Sequence, residues 1–242
     1  MDWPPQYPSN YTPPAGQEFW RPDLETMDPD RRDAIILEKL RGQVSYAITH
    51  SGFYQEFYQD AAVDPANLAS LEEFAQLPIL TKDDIRREQE EHPPYGRFLC
   101  VQSRDVFRVH GTSGTTGRPT VFGIGRDDWD RIAEAHARIL WGAGLRPDDT
   151  VMVAAVFSLY VGSWGALVGA ERLGATSFPF GSGAPGQTER AAEWAAMVKP
   201  SVLYGTPSYA LYLAETSRQM GLDPKEDFGF RFMFFSGEPG AS

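Results

Sequence analysis

From about residue 103 onward, short apolar runs alternate with longer segments that have helical spacing. The runs TVMVAAV, ATSFPF, SVLYG and FRFMFFS are typical of buried strands, and a helical segment follows each of the first three. Parallel strands need such a crossover connection, whereas antiparallel neighbours can be joined by a tight turn. The alternation therefore predicts an α/β fold, with a mainly parallel β-sheet covered by helices.

The residues before this alternation have a different character. A start rich in proline and tyrosine is predicted to be an extended arm on the surface. Asp28 followed by Pro29 is typical of a helix start, and Thr81 begins a capping-box pattern that predicts a second helix. We therefore predict two domains: residues 1–102 form the arm and a helical region, and residues 103–242 form the α/β region.

Composition and charge exclude several classes of protein. The net charge of −11 argues against a nucleic-acid binder, because it would repel phosphate. No apolar run reaches the roughly 18 to 20 residues that a membrane span needs. Cys100 is the single cysteine, which excludes an internal disulfide framework and suits a reducing compartment. We expect a cytoplasmic protein with neither a nucleic-acid nor a membrane partner.

The stretch HGTSGTTGRPT, from His110 to Thr120, is too rich in glycine to form a helix or a central strand. A loop of Gly, Ser and Thr can turn several backbone N–H groups toward one anion, and its hydroxyls add donors. The Walker pattern of GTPases and kinases requires lysine after its last glycine, whereas Gly117 is followed by Arg118 and Pro119. The loop is therefore interpreted as a phosphate site of another kind.

Ligands of parallel sheets bind beyond the carboxyl ends of the strands, so we expect chemistry in the loops that follow each predicted strand. These loops cover residues 110–117, 157–165, 180–186, 205–208 and 236–240. The four histidines show no metal-ligand spacing, and we assign no metal site. His110 is interpreted as a histidine satisfied at a strand end rather than as a phosphate ligand.

The loop TSGTTGRPT resembles the signature of the adenylate-forming enzymes, the superfamily that includes acyl-CoA synthetases and peptide-synthetase adenylation domains. Their pattern, [ST]-[SG]-G-[ST]-[TS]-G-x-P-K, fits at every position but the last. Thr120 in place of that lysine is similar to the phenylacetate-CoA ligase branch. Four further stretches resemble segments of the same branch: LPILTKDDIR, GAERLGATSFPFGSG, YGTPSYALYLAE and FFSGEP.

This resemblance implies an AMP-forming acid–thiol ligase of aromatic acid metabolism, with ATP, Mg²⁺ and coenzyme A as cofactor and co-substrates. It implies a phosphate cradle made of Thr112, Ser113, Gly114, Thr115, Thr116 and Gly117. It places the adenine against Ser236, Gly237, Glu238 and Pro239. The pocket for an aromatic carboxylic acid would be lined by Phe157, Tyr160, Val161, Trp164, Tyr204 and Gly205.

The family's magnesium-binding glutamate and the lysine of its C-terminal lid domain are expected beyond residue 242. We therefore expect an acyl-CoA synthetase-like N-terminal domain that is truncated and inactive by itself. Two alternatives stay open: transfer of the aryl group to a carrier-protein thiol or an amine, and a fragment that binds nucleotide or aryl acid without catalysis. A homodimer also stays open.

Overall fold

A computed structural model describes residues 11–61, 64, 67–112, 119–182 and 184–239. The chain consists of two compact units, the first made of residues 1–7 and 21–130 and the second of residues 8–20 and 131–242. This division differs from the boundary predicted at residue 102. The hairpin that follows residue 103 packs with the first unit, where Gly123 lies against the side chains of Leu99 and Tyr95.

The first unit is mainly helical and carries one β-hairpin. Its helices are α1 (Pro22–Glu25), α2 (Pro29–His50), α3 (Gly52–Asp60), α4 (Leu71–Phe74) and α5 (Lys82–Glu91), and its strands are β1 (Val106–Gly111) and β2 (Val121–Gly125). The Asp28 carboxylate caps α2, and Thr81 and Asp84 form the capping box of α5. Both predicted helix starts are therefore confirmed.

The second unit contains a parallel four-stranded sheet in the order β4-β3-β5-β6. The strands are β3 (Thr150–Val153), β4 (Thr176–Phe178), β5 (Val202–Gly205) and β6 (Phe232–Phe235). The helices around them are α6 (Arg126–Gly142, which begins in the first unit), α7 (Val161–Leu173), α8 (Gln187–Val198), α9 (Pro207–Gln219) and α10 (Pro224–Asp227). The predicted parallel sheet covered by helices is confirmed.

The sheet is buried on both faces, as its apolar strands predict. Val151 and Val153 of β3 pack into one hydrophobic cluster with Leu173, whereas Met152 between them packs into a second cluster with Leu203. Successive strand residues point to opposite faces, so one short strand supplies both clusters. Within the described residues, no helix is both long enough and apolar enough to cross a membrane.

The arm predicted to lie on the surface ends in the core of the second unit. Trp20 has no solvent exposure, and its ring meets the ring of Trp141 edge-on at 5.7 Å between centroids. Its Nε1–H donates to Oε1 of Glu134 over 2.7 Å, and Glu134 also pairs with Arg172 at 2.7 Å. The prediction is wrong at this end, because an indole that finds a partner for its N–H gains a large apolar burial.

Candidate functional site

The base of the glycine-rich loop lies in the first unit, at the end of the β1–β2 hairpin where the loop connects the two strands. Of the predicted phosphate cradle, Thr112 is described, whereas residues 113–117 lie outside the described residues. The Thr112 N–H donates to the carbonyl of Thr120 over 3.0 Å, and the Thr120 N–H donates to Oγ1 of Thr112 over 3.1 Å. The two hydroxyl oxygens are 3.2 Å apart, and Thr120 is buried. These bonds hold both ends of the loop together.

The strand that leads into this loop is anchored by aromatic contacts. His110 is buried, and its ring stacks on that of Trp129 with 5.5 Å between centroids and 11° between planes. The guanidinium carbon of Arg108 lies 4.0 Å from the centroid of the same indole. Residues two apart on a strand share a face, so both side chains reach one indole. These contacts agree with the structural interpretation of His110.

In the second unit, the loop after β3 and the first turn of α7 together carry four of the residues predicted for the acid pocket. Phe157 and Trp164 meet edge to face with 5.0 Å between their ring centroids. The Trp164 Nε1–H donates to the carbonyl of Ser158 over 2.8 Å, and the Ser163 hydroxyl donates to the carbonyl of Val156 over 2.7 Å. The first turn of α7 therefore holds the loop that precedes it.

Tyr160 and Val161 form the entry to α7. Tyr160 stands at the N-cap position and is 55% exposed, and Val161 is the first helical residue. The Tyr160 ring lies so close to Gly162 that a Cβ there would be 2.3 Å from it. A side chain at position 162 would displace the ring, which explains the glycine.

Tyr204 and Gly205 end β5, the strand next to β3. Tyr204 is buried, its ring stacks on Phe234 with 5.7 Å between centroids, and its hydroxyl lies 3.4 Å from that of Ser236. Burial raises the pKa of Tyr204, while the hydrogen bond with Ser236 opposes that rise. The phenol is therefore neutral at physiological pH and keeps its O–H donor.

The turn Ser236–Pro239 follows β6 and is attached to two neighbours. The Ser236 N–H donates to the carbonyl of Gly205 over 3.1 Å, and Gly237 has a φ of +94°, which favours glycine. Oε1 of Glu238 accepts from the N–H of Ser208 over 2.6 Å, at the start of α9. Hydrogen bonds from the Ser208 side chain and main chain lower the pKa of Glu238, so the carboxylate is ionised near a helix N-terminus.

The structure thus brings ten of the predicted residues to the carboxyl ends of β3, β5 and β6 in the second unit, and places Thr112 in the first unit. The ten are Phe157, Tyr160, Val161, Trp164, Tyr204, Gly205, Ser236, Gly237, Glu238 and Pro239. Sequence reasoning missed the contact of Glu238 with Ser208 and the pairing of Thr112 with Thr120. Hydroxyl residues at both ends of a loop are the signal that points to the second.

One group among the described residues has the composition of a metal site. Glu88, Glu91 and His92 can bring one ligand atom each within 4.8 Å of one another. However, both carboxylate oxygens of Glu88 accept hydrogen bonds from the Arg97 side chain, at 2.8 and 3.1 Å. Because this carboxylate is already neutralised, we assign no metal to the group.

Comparison with known sequences finds relatives of one kind. No protein-family model matches the chain. It is 36% identical over 221 residues to a phenylacetate-coenzyme A ligase of Thermus thermophilus, which covers 91% of this chain and 48% of that protein. It is also 36% identical over 217 residues to the phenylacetate-coenzyme A ligase of Escherichia coli K12, covering 89% and 48%. The chain spans about half the length of the curated relatives it matches.

Comparison of the fold with solved structures also finds CoA ligases. A crystal structure of 2-hydroxyisobutyryl-CoA ligase in complex with 2-HIB-AMP and CoA superposes with a TM-score of 0.95 at 54% identity, covering 100% of this chain and 51% of that one. The same ligase in its postadenylation state gives a TM-score of 0.94 at 52% identity. By sequence and by fold, the chain is therefore a homologue of the phenylacetate-coenzyme A ligases and of 2-hydroxyisobutyryl-CoA ligase, and it spans about half of their length.

Proposed function

We propose that the protein carrying this chain activates a carboxylic acid with ATP and transfers the acyl group to coenzyme A. The acid's carboxylate attacks the α-phosphorus of ATP, which forms an acyl-adenylate and releases pyrophosphate. The thiol of coenzyme A then attacks the acyl carbon, loses its proton, and releases AMP. The observation that carries this proposal is the 54% identity, over the whole chain, to a ligase whose crystal structure contains both 2-HIB-AMP and CoA.

The nucleotide would be held by two parts of the chain. Thr112 with residues 113–117 would bind the β- and γ-phosphates, where fixed donors stabilise the departing pyrophosphate. The turn Ser236–Pro239 would let its backbone approach the purine ring, and the contact between Glu238 and Ser208 supports this by fixing the turn on α9. ATP in such enzymes comes with Mg²⁺. We assign no magnesium ligand to Glu238, because its Oε1 already accepts from Ser208.

The acid would bind at the carboxyl ends of β3 and β5, in a pocket lined by Phe157, Tyr160, Val161, Trp164, Tyr204 and Gly205. Two substrate classes follow from different observations. The aromatic walls favour an aryl acid such as phenylacetate. The higher identity to 2-hydroxyisobutyryl-CoA ligase, 54% against 36% for the phenylacetate ligases, favours a short branched 2-hydroxy acid.

An acid-dependent ATP–pyrophosphate exchange assay tests the first half-reaction. The longest natural form of the protein is incubated with labelled pyrophosphate and, in turn, phenylacetate, benzoate, 2-hydroxyisobutyrate and lactate. Exchange that depends on one acid supports adenylation and identifies the substrate class. Nucleotide binding without exchange for any acid contradicts the proposed activity and leaves a non-catalytic binding protein.

The acceptor is tested separately. With the best acid and ATP, formation of the acyl thioester is followed with coenzyme A, with a phosphopantetheinylated carrier protein and with hydroxylamine. We expect the coenzyme A thioester. Exchange without a coenzyme A product contradicts the second half-reaction and favours a carrier-protein thiol or an amine as the acceptor.

A further inference from the structure

Among the residues that the structure describes, the β1–β2 hairpin of the first unit is a two-stranded sheet, so each strand has one edge without a strand neighbour. Val121 opens β2 directly after the glycine-rich loop and stands opposite Gly111. Next to this pair, Thr112 and Thr120 bond through their main chains across the strands. In an antiparallel ladder such bonded pairs alternate with non-bonded ones, so the N–H and C=O of Val121 point away from β1.

Both outward groups of Val121 are satisfied by one side chain. The Gln89 carboxamide donates through Nε2 to the Val121 carbonyl over 2.7 Å, and its Oε1 accepts from the Val121 N–H over 3.1 Å. A carboxamide has the same donor and acceptor arrangement as a peptide group. Gln89 therefore occupies the place of a third strand for one residue, at the point where the loop ends.

Gln89 is itself held by the surrounding structure. It lies in the last turn of α5, a helix whose start is fixed by the capping box of Thr81 and Asp84. Its neighbour Glu88 is buried and accepts from the main-chain N–H of Arg97 over 2.8 Å and from its Nε over 2.8 Å. The carboxamide is thus presented from a helix anchored at both ends.

The contact between Thr112 and Thr120 and the contact between Gln89 and Val121 both constrain the ends of the glycine-rich loop. The pairing of Thr112 with Thr120 sets the separation of the loop's ends, and Gln89 fixes the strand residue that follows Thr120 relative to α5. A loop whose ends are fixed loses less conformational freedom when its donors are organised around an anion. Small displacements of positioning groups weaken phosphate recognition strongly, because donors must meet the oxygens within hydrogen-bond distance.

We infer that Gln89 is a positioning residue for phosphate recognition by the glycine-rich loop, acting through the main chain of Val121. This inference rests on the proposed function, since it requires that the loop bind the phosphates of ATP. It concerns a residue outside the glycine-rich loop and outside the four other stretches quoted above as resembling the branch. Gln89 touches no substrate in this role.

The test compares the affinities for ATP and for adenosine, which lacks the phosphates. Dissociation constants are measured by isothermal titration calorimetry for the longest natural form of the protein, for Gln89→Met and for Gln55→Met. Methionine has the length of glutamine without its donor and acceptor, and Gln55 is an exposed glutamine on α3 that serves as the matched control. We expect Gln89→Met to raise Kd for ATP about tenfold and to leave Kd for adenosine unchanged.

Hydrogen exchange without nucleotide provides a second measurement. The Val121 amide is expected to exchange faster in Gln89→Met than in the wild type, and equally in Gln55→Met. If the methionine variant does not fold, Gln89→Asn, which retains the carboxamide but withdraws it by one methylene, replaces it. Equal weakening of ATP and adenosine binding, or unchanged ATP binding with faster exchange at Val121, overturns the inference. A wild type that binds ATP no more tightly than adenosine instead contradicts the proposed function.

Discussion

At the amino ends of β3, β5 and β6, one carboxylate joins residues next to all three strands, whereas the described side-chain bonds at the carboxyl ends join β5 to β6 or stay within the loop after β3. Asp149, just before β3, accepts from the Ser201 hydroxyl over 2.7 Å and from Nε of Arg231 over 2.8 Å. Arg231 also donates through Nη2 to Asp149 and to the Gly144 carbonyl. Three strands are thus tied by one carboxylate.

The carboxyl ends differ in both chemistry and connectivity. Tyr204 reaches Ser236 only over 3.4 Å, and Glu238 holds the turn after β6 through its bond to Ser208. The Tyr204 hydroxyl is only weakly bonded, because its distance to Ser236 is long, whereas Ser201 and Arg231 at the amino ends donate to Asp149 over shorter distances. The binding site proposed for this chain follows the general rule that ligands of open α/β sheets bind at the carboxyl ends of the strands.

The largest effect that would test this difference between the two ends is the loss of Asp149. We expect Asp149→Ala to reduce the free energy of unfolding by about 3 kcal/mol, because the variant removes the carboxylate that accepts from the Arg146 N–H, the Ser201 hydroxyl and the Arg231 side chain. Urea denaturation measures the change. Asp148→Ala, at the exposed neighbouring aspartate, is the control and should change stability by less than about 0.5 kcal/mol. Equal stability of the two variants contradicts this difference between the ends.

A smaller change in the free energy of unfolding is expected when the charge of Asp149 is removed by substitution or by low pH. Burial opposes ionisation of Asp149 most strongly, yet hydrogen bonds from Arg231, Ser201 and the Arg146 main chain together lower its pKa. A lowered folded pKa means that the stabilisation is complete above the unfolded pKa of about 3.9 and is lost as the pH falls through the folded pKa. Asp149→Asn should therefore cost about 2 kcal/mol at pH 7 and progressively less below about pH 4.

Calorimetric or urea unfolding of wild type and Asp149→Asn between pH 7 and pH 2.5 measures this dependence. A stability difference that stays constant across the whole range would show that the charge of Asp149 contributes nothing at the amino ends of the strands.

At the carboxyl ends of the strands we expect a substitution to change ligand affinity more than the free energy of unfolding. Tyr204→Phe removes one weakly bonded hydroxyl and should change the free energy of unfolding by less than about 0.5 kcal/mol. It should raise the dissociation constant of the preferred acid about fivefold, because the neutral phenol donor is lost. Titration calorimetry with the acid found by the exchange assay measures this. If Tyr204→Phe is destabilised but binds the acid with unchanged affinity, Tyr204 contributes to stability and not to acid binding.

The smallest effect is expected for Glu238→Gln. The amide still accepts from Ser208 but lacks the charge that favours a helix N-terminus. We expect an approximately twofold rise in Kd for ATP, as the turn after β6 loosens, and an unchanged melting temperature. Glu215→Gln on the exposed face of α9 is the control and should alter neither quantity. A lowered melting temperature with unaltered ATP binding would make Glu238 a structural residue only.

Much of the fold follows from signals that act between near neighbours. The apolar runs predicted β3 to β6, and Asp28 and the capping-box pattern that begins at Thr81 predicted two helix starts. The parallel arrangement then placed the strand-end loops on one edge, which is where Phe157, Tyr204 and Ser236 lie. The roles of these residues in binding the acid and the adenine were inferred from the resemblance to the adenylate-forming enzymes, and they stay predictions.

Other features had no local signal. Trp20 was assigned to a surface arm, because nothing in its neighbourhood indicates a partner such as Glu134, 114 residues away. The boundary predicted at residue 102 followed a change in pattern, whereas the division of the structure follows packing of the hairpin. Gln89 is one polar residue among many on α5, and only the distance to Val121 distinguishes it.

By itself the sequence determined the parallel α/β architecture, the caps of its helices and the branch of enzymes it resembles. These depend on residue types at short spacing, which a linear chain displays directly. Only the tertiary structure decided which side chains bond to one another: Asp149 with Arg231 at the amino ends of the strands, and Tyr204 with Ser236 and Glu238 with Ser208 at the carboxyl ends. That choice depends on distances between residues far apart in the chain, and packing alone sets them.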